Sequence, residues 1–127
     1  MSILGVRTPV FGFGIALAAV LAIAVESAAA RLVECPPGTS YMEAPVGNER
    51  ATWCARKDGR REGPWVLWFD AKRKKEQGAF RGGEREGLWR TWYPDGKAQS
   101  EGSQSAGVRT GTWKSWHSNG QLEQVST

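Results

Sequence analysis

The chain has 127 residues and a formal net charge of +4. That length suits one small domain, and so small an excess of cations does not by itself indicate nucleic-acid binding. Two cysteines and a single histidine make a poor set of metal ligands and leave little from which to build a catalytic triad. We therefore expect a protein that has no enzymatic activity and binds neither nucleic acid, nor a metal, nor another cofactor.

Residues 1–30 are predicted to be a secretory signal peptide. Arg7 supplies a positive charge ahead of the apolar run 10–25, and the alanines that end at Ala30 fit the small-residue rule for signal peptidase. The alternative is an uncleaved membrane anchor, but the apolar run is short for a span and Glu26 interrupts its end. We expect cleavage near Ala30 and an exported protein, either periplasmic or extracellular.

Residues 31–58 contain both cysteines and three prolines. Because an exported protein meets an oxidising compartment, Cys35 and Cys54 are predicted to form a disulfide rather than a metal pair or reactive thiols. The bridge would close a loop of about 20 residues and contribute roughly 3 kcal/mol in the chain-entropy model. We expect this segment to be a loop-rich N-terminal cap, with Trp53 helping to tie it onto the first repeat.

Residues 59–127 are predicted to form a repeat domain, because glycine and tryptophan recur there every 24 residues. The recurring stretches are GPWVLWF, GLWRTWY and GTWKSWH, and a further glycine stands four residues before each, so the units begin near residues 59, 83 and 107. The structural positions in register are Gly63, Trp65, Gly87, Trp89, Gly111 and Trp113. Each unit of such an array is stabilised mainly by its neighbours.

Each repeat unit also carries a turn signal. PDGK at 94–97 and SNGQ at 118–121 place Asp-Gly and Asn-Gly where a two-residue hairpin needs positive φ. Aromatic residues dominate the strand before each turn, and no helical period is sustained outside the signal peptide. The sequence therefore predicts an all-β fold, an elongated single-layer antiparallel meander of about three 24-residue β-hairpins with a disulfide-tied N-terminal cap.

The unit G-x-W-x-x-W-aromatic, followed by Asp-Gly or Asn-Gly, resembles the MORN repeat. The resemblance covers 59–127 and is closest to the bacterial variant found in YwqK-like antitoxin-family proteins. It implies hairpin repeats that serve as a scaffold or binding module. The chain departs from the pattern at Lys72, which replaces a turn glycine and predicts a longer or strained turn, and at Gln104, which stands where Phe80 supplies an aromatic ring.

Strand alternation gives the sheet two different faces. Trp65, Trp89 and Trp113 share the more apolar side, which we name the packed face. The opposite side, which we name the cationic face, sets tryptophans beside arginine and lysine. Its candidate binding residues are Trp68, Arg90, Trp92, Lys114 and Trp116. Two interpretations stay open, since these indoles can shield a thin sheet or can bind a partner.

The partner expected at the cationic face is another protein of the cell envelope. Alternatives are anionic lipid, for which the basic cluster KRKK at 72–75 is a weak indication, a glycan, and the immunity or antitoxin role that the resemblance implies. His117 occupies the position of Phe69 and Tyr93 and is expected to serve as a structural ring. No residue is assigned a catalytic role, and the oligomeric state stays open.

Overall fold

The structure is a computed structural model that describes residues 32–127. Eight antiparallel strands follow one another across a single sheet in chain order. The strands are β1 (Ser40–Val46), β2 (Glu49–Ala55), β3 (Arg61–Trp68), β4 (Lys74–Arg81), β5 (Glu84–Trp92), β6 (Ala98–Ser105), β7 (Val108–Trp116) and β8 (Leu122–Ser126). The predicted all-β, single-layer antiparallel meander is confirmed. The predicted signal peptide lies outside the described residues.

No helix occurs within 32–127, so that part of the chain holds no helix capable of crossing a membrane. The three predicted hairpins are β3–β4, β5–β6 and β7–β8, and they repeat with the same register. Trp65 pairs with Gly78 as Trp89 pairs with Gly102, and in all three hairpins the pairing shifts by a β-bulge just before the turn. The 24-residue period of the sequence is therefore a period of the hydrogen-bonded sheet.

The turn of the first hairpin is neither longer nor strained, contrary to the expectation from Lys72. The Phe69 N–H donates to the Arg73 carbonyl as the Tyr93 N–H donates to the Lys97 carbonyl, so both turns close over the same number of residues. In the first turn the Asp70 carboxylate accepts the backbone N–H groups of Lys72 and Arg73. Lys72 does not take a positive φ, because this side-chain acceptor replaces the glycine geometry.

The N-terminal segment is less loop-rich than the sequence predicted. Strands β1 and β2 form a fourth hairpin, which continues the sheet on the side of β3. The disulfide between Cys35 and Cys54 is confirmed, with a Cα–Cα distance of 5.5 Å. The prolines and the absence of the 24-residue pattern conceal this hairpin in the sequence. It forms because a strand laid against β3 satisfies backbone groups that a free edge leaves unpaired.

The two faces of the sheet carry two separate hydrophobic clusters. On the packed face the buried residues are Ala51, Trp65, Phe80, Trp89 and Trp113, and Trp53 and Leu67 pack against them. A second cluster joins Val33, Cys54, Val66 and Trp68, on the other face and near the disulfide. The chain before β1 therefore covers the cationic face at one end of the sheet.

Two glycines make the packed face possible. Gly78 and Gly102 lie directly beneath the rings of Trp89 and Trp113, and a Cβ built on either glycine would overlap that ring. Neither glycine has a positive φ, so close approach of the indole, rather than backbone conformation, requires them. Trp89 consequently reaches 2 % exposure in a sheet of one layer.

Candidate binding surface

Trp68 does not lie on an open surface. Its side chain is 6 % exposed, it packs with Val33 and Val66, and its indole Nε1–H donates to the Thr52 hydroxyl at 2.9 Å. A hydrogen bond made by a buried indole satisfies the one polar group of that side chain. Trp68 is thus part of the interior of this chain.

Trp92, the equivalent residue one unit later, is half-buried and lies beside the turn between β3 and β4. A shallow depression of about 290 Å³ is lined by Lys72, Arg73, Lys74, Trp92 and Gly96. The Arg73 guanidinium donates to the Pro94 carbonyl at 2.9 Å and so joins this turn to the turn that follows β5. The structure thereby brings together the basic cluster and one tryptophan of the cationic face, which are 17 or more residues apart in the sequence.

The charges around this depression are only partly neutralised. Arg73 Nε lies 2.7 Å from the Asp70 carboxylate, and Lys75 Nζ lies 2.7 Å from the Glu49 carboxylate. Lys74 Nζ lies 5.7 Å from the centre of the Trp68 ring, and within the described residues neither Lys74 nor Lys72 has a carboxylate partner. Two lysines are therefore available to an acidic ligand.

The Asp70 carboxyl titrates at lower pH than an ordinary aspartate. Its pKa is lowered first by the Lys72 backbone N–H, then by the side chain and backbone N–H of Arg73, while partial desolvation opposes the shift. These donors favour the ionised form. Asp70 therefore stays charged and keeps the turn closed under mildly acidic conditions.

The rest of the cationic face lies on β5 and β7. Arg90 and Lys114 are exposed, and Arg90 Nε donates to the Glu101 carboxylate at 2.9 Å on the intervening strand β6. Trp116 is half-buried, and its carbonyl accepts the Tyr93 hydroxyl at 2.7 Å. The structure thus leaves Trp92 and Trp116 partly accessible, each on a strand that also carries an exposed cation.

His117 does not continue the aromatic column that Phe69 and Tyr93 begin. Phe69 and Tyr93 are half-buried, whereas His117 is exposed and places Nδ1 3.9 Å from the Glu123 carboxylate. Tyr93 reaches a carbonyl of the following hairpin, but within the described residues His117 has no later hairpin to contact. The expectation that His117 acts as a packed ring is therefore wrong.

The sequence interpretation overlooked a set of arginines on the packed face. Arg61, Arg85 and Arg109 stand at the same 24-residue spacing as the tryptophans. The Arg85 guanidinium lies 4.0 Å from the centre of the Trp89 ring, and Arg109 lies 4.2 Å from that of Trp113. Each such tryptophan is thus held between a glycine below and an arginine above, a cation–π arrangement. The shared spacing alone could have revealed these arginines.

Two glutamates at the same spacing tie neighbouring hairpins together. Glu62 accepts the Gly82 backbone N–H at 2.6 Å, and Glu86 accepts the Ala106 N–H at 3.0 Å. The pKa of Glu62 is lowered, first by the Gly82 N–H and further by Arg56, with desolvation opposing. These carboxylates belong to the scaffold. No group of His, Cys, Asp and Glu arranged to hold a metal ion occurs within 32–127.

Comparison with protein-family models matches residues 85–104 and 109–127 to the MORN repeat variant. The two segments fall on the hairpins β5–β6 and β7–β8, so the resemblance predicted from the sequence is confirmed for these two units. No curated protein and no solved structure matches the chain significantly. The similarity suggests a repeat binding module.

Proposed function

We propose that this chain is an exported, non-catalytic repeat module that captures another protein of the cell envelope through its cationic face. The proposal is carried by the depression in which Trp92 is flanked by the unneutralised Lys72 and Lys74. A half-exposed indole gives apolar contact area at low entropic cost, and nearby cations select an acidic partner. Arg90, Lys114 and Trp116 extend the same surface across β5 and β7.

Export is part of the proposal, and the disulfide supports it. Cys35 and Cys54 are bonded to each other, and disulfides persist in oxidising compartments such as the periplasm and the extracellular space. A periplasmic or secreted protein would meet its partner there. An immunity or antitoxin role would be a special case in which the partner is a toxin that acts on the envelope, and it rests on the YwqK-like resemblance alone.

A membrane surface is the less favoured partner. Of the four cations at 72–75, Arg73 and Lys75 are already paired with carboxylates. Only Lys72 and Lys74 remain for anionic headgroups, and each would contribute about 1 kcal/mol near such a surface. That is too little for stable attachment, so we favour an acidic protein surface over anionic lipid. Binding of a neutral glycan is an alternative that the experiment below distinguishes.

The test is affinity capture from envelope extract with the wild-type chain and with the double variant Trp92→Ala/Trp116→Ala, followed by titration of the purified partner. Because both rings are half-buried, we expect the variant to stay folded by circular dichroism and to lose capture. Met42→Ala removes an exposed apolar side chain far from this surface, on β1, and should capture normally. Added salt should weaken capture, because the partner is expected to be acidic.

Two results would contradict the proposal. The first is capture of the same partner by the double variant, and the second is salt-independent binding of neutral glycans. Trp68→Ala serves as the structural comparison: it empties a buried site and should cost about 3–5 kcal/mol of folding free energy. If Trp92→Ala/Trp116→Ala destabilises the protein as much as Trp68→Ala does, these rings are structural and the cationic face is not the contact surface.

A further inference from the structure

On the packed face, two equivalent arginines have different environments. Arg85 Nη1 donates to the Glu76 carboxylate at 2.7 Å while the guanidinium stacks on Trp89. Arg109 stacks on Trp113 in the same way at 4.2 Å, but within residues 32–127 no carboxylate lies within ion-pair distance of it. The same cation–π unit is therefore neutralised in one repeat and left charged in the next.

The difference comes from one position of the repeat. Glu76 is replaced 24 residues later by Ser100, whose hydroxyl is too short to reach the guanidinium as a carboxylate does. Ser100 Oγ is instead 2.6 Å from the Thr91 hydroxyl. Strand β8 carries one carboxylate, Glu123, which accepts a hydrogen bond from the Ser115 hydroxyl and faces His117. Arg109 therefore keeps its donors for an external acceptor.

Space for that acceptor exists on both sides of Arg109. One cavity of about 110 Å³ lies between Arg85 and Arg109, and Ser100 and Gln104 line it. Glu76 lines it too, with its carboxylate already paired with Arg85. A second, of about 130 Å³, lies on the far side of Arg109 beside Ser115 and Gln124. Since a water molecule takes up roughly 30 Å³, each cavity has room for a group as small as a carboxylate. The hydroxyl and amide groups that line the two cavities are further hydrogen-bond donors for such a carboxylate.

We propose that Arg109, stacked on Trp113 and assisted by Ser100, is a binding site for a single carboxylate presented by an acidic side chain of another polypeptide. The contact between Glu76 and Arg85 shows the geometry that an external glutamate would adopt one repeat later. The guanidinium fork suits a planar carboxylate. The arginines already cover the faces of Trp89 and Trp113, which leaves no open ring on which a sugar could stack. The site is built on Arg109 and Trp113 of the packed face and is separate from the depression at Trp92, although Lys114 of the cationic face also lines its second cavity.

The site can be tested by NMR with the full chain labelled with ¹⁵N, using the Trp113 indole Nε1–H as reporter. That group donates to the Ser103 carbonyl at 3.0 Å and lies under Arg109. Glutamate with both termini blocked is the probe, and the correspondingly blocked glutamine is its uncharged control. We expect a saturable shift with the glutamate probe, in the millimolar range typical of one such contact, and none with glutamine.

Variants separate this site from general charge attraction. Ser100→Glu places an internal carboxylate where Glu76 stands in the preceding unit. It should lower the affinity for the blocked glutamate by about tenfold or more, and Arg109→Gln should do the same. Glu76→Ser should free Arg85 and give the Trp89 indole a new response to the same probe. The spectrum of each variant also reports whether it is folded, and Ser100→Glu keeps every arginine and tryptophan in place.

Three outcomes would overturn the proposal. One is an unchanged affinity in Ser100→Glu, and another is an equal response to the blocked glutamine. The third is tighter binding of glucuronate or inorganic phosphate than of the blocked glutamate, which would assign the site to a sugar acid or a phosphate instead of a polypeptide.

Discussion

Gly78→Ala tests the packing that allows a single-layer sheet to bury tryptophan. Gly78 lies under the Trp89 ring, and an added Cβ would overlap that ring. The φ of Gly78 is not positive, so alanine suits the backbone and by itself would stabilise the fold by about 0.4–1 kcal/mol through the unfolded state. Steric overlap with Trp89 opposes that gain.

The overlap should prevail because the Trp89 ring is almost fully buried and closely surrounded. Arg85 lies 4.0 Å above the ring centre, while the ring centroids of Phe80 and Trp65 lie 5.4 and 5.6 Å away. Forcing a methyl group into such a site typically costs about 1–3 kcal/mol. We expect a net loss near the upper end of that range, and hence a Tm lower by about 4–8 °C per kcal/mol for a domain of this size.

The measurement is denaturant unfolding of four proteins: wild type, Gly78→Ala, Trp89→Leu and the double variant. In the Trp89→Leu background the smaller side chain leaves room for the methyl group, so the cost of Gly78→Ala should disappear or change sign. Because that cost is about 3 kcal/mol in the wild type and vanishes in the Leu background, we expect a coupling energy of about 3 kcal/mol between the two positions. The explanation fails if Gly78→Ala stabilises the wild-type protein, or if its cost is the same in both backgrounds.

Two further predictions concern the N-terminal hairpin and its neighbour. Replacing Cys35 and Cys54 with serine should lower the free energy of unfolding, measured by chemical denaturation, by about 3 kcal/mol. A reductant should lower the stability of the wild type but not that of the variant. Equal sensitivity of the two proteins to the reductant would count against the bridge. The pKa of Glu62 is lowered first by the Gly82 N–H and further by Arg56. The ionised form of Glu62 therefore stabilises the fold above the unfolded pKa of about 4.3. This stabilisation is lost as the pH falls through the lower pKa of the folded state. Glu62→Gln should therefore be less stable than wild type at pH 7, with a difference in Tm that shrinks in acid, whereas a constant difference would show that the carboxylate charge is not involved.

Local and periodic features were predictable from the sequence. The 24-residue spacing of Gly63, Trp65 and their equivalents predicted the hairpins and identified the packed face, because side-chain alternation and turn chemistry are local properties of a strand and its turn. The same period, applied to charged residues, would also have identified Arg85 and Arg109. Their stacking on the tryptophans was not predictable in the same way. Each arginine lies four positions before its tryptophan on one strand, where the pairing with the preceding strand shifts and Gly87 or Gly111 takes a positive φ.

The hairpin β1–β2 was hidden for a different reason. It lacks the glycine–tryptophan pattern, although Gly47-Asn48 forms a two-residue turn with a positive φ at Gly47. Its strands are further stabilised by pairing with β3 and by the Cys35–Cys54 bridge. Cross-strand pairing of this kind depends on partners that are distant in the chain, and β-propensity changes with that context. Similarly, the Asp70 carboxylate closes the turn between β3 and β4, which the sequence predicted to be longer or strained because Lys72 replaces the glycine.

The sequence by itself determined that Trp68, Trp92 and Trp116 occupy one position of a repeated hairpin on the face opposite Trp65. Only the tertiary structure distinguished among them. Val33 and the disulfide region cover Trp68, and Thr52 accepts its indole hydrogen, whereas Trp92 and Trp116 keep part of their rings exposed. The physical reason is that a repeated sequence specifies the contacts inside and between its units. Burial at one end of the array depends instead on a segment outside the repeats that folds back over the unit at that end.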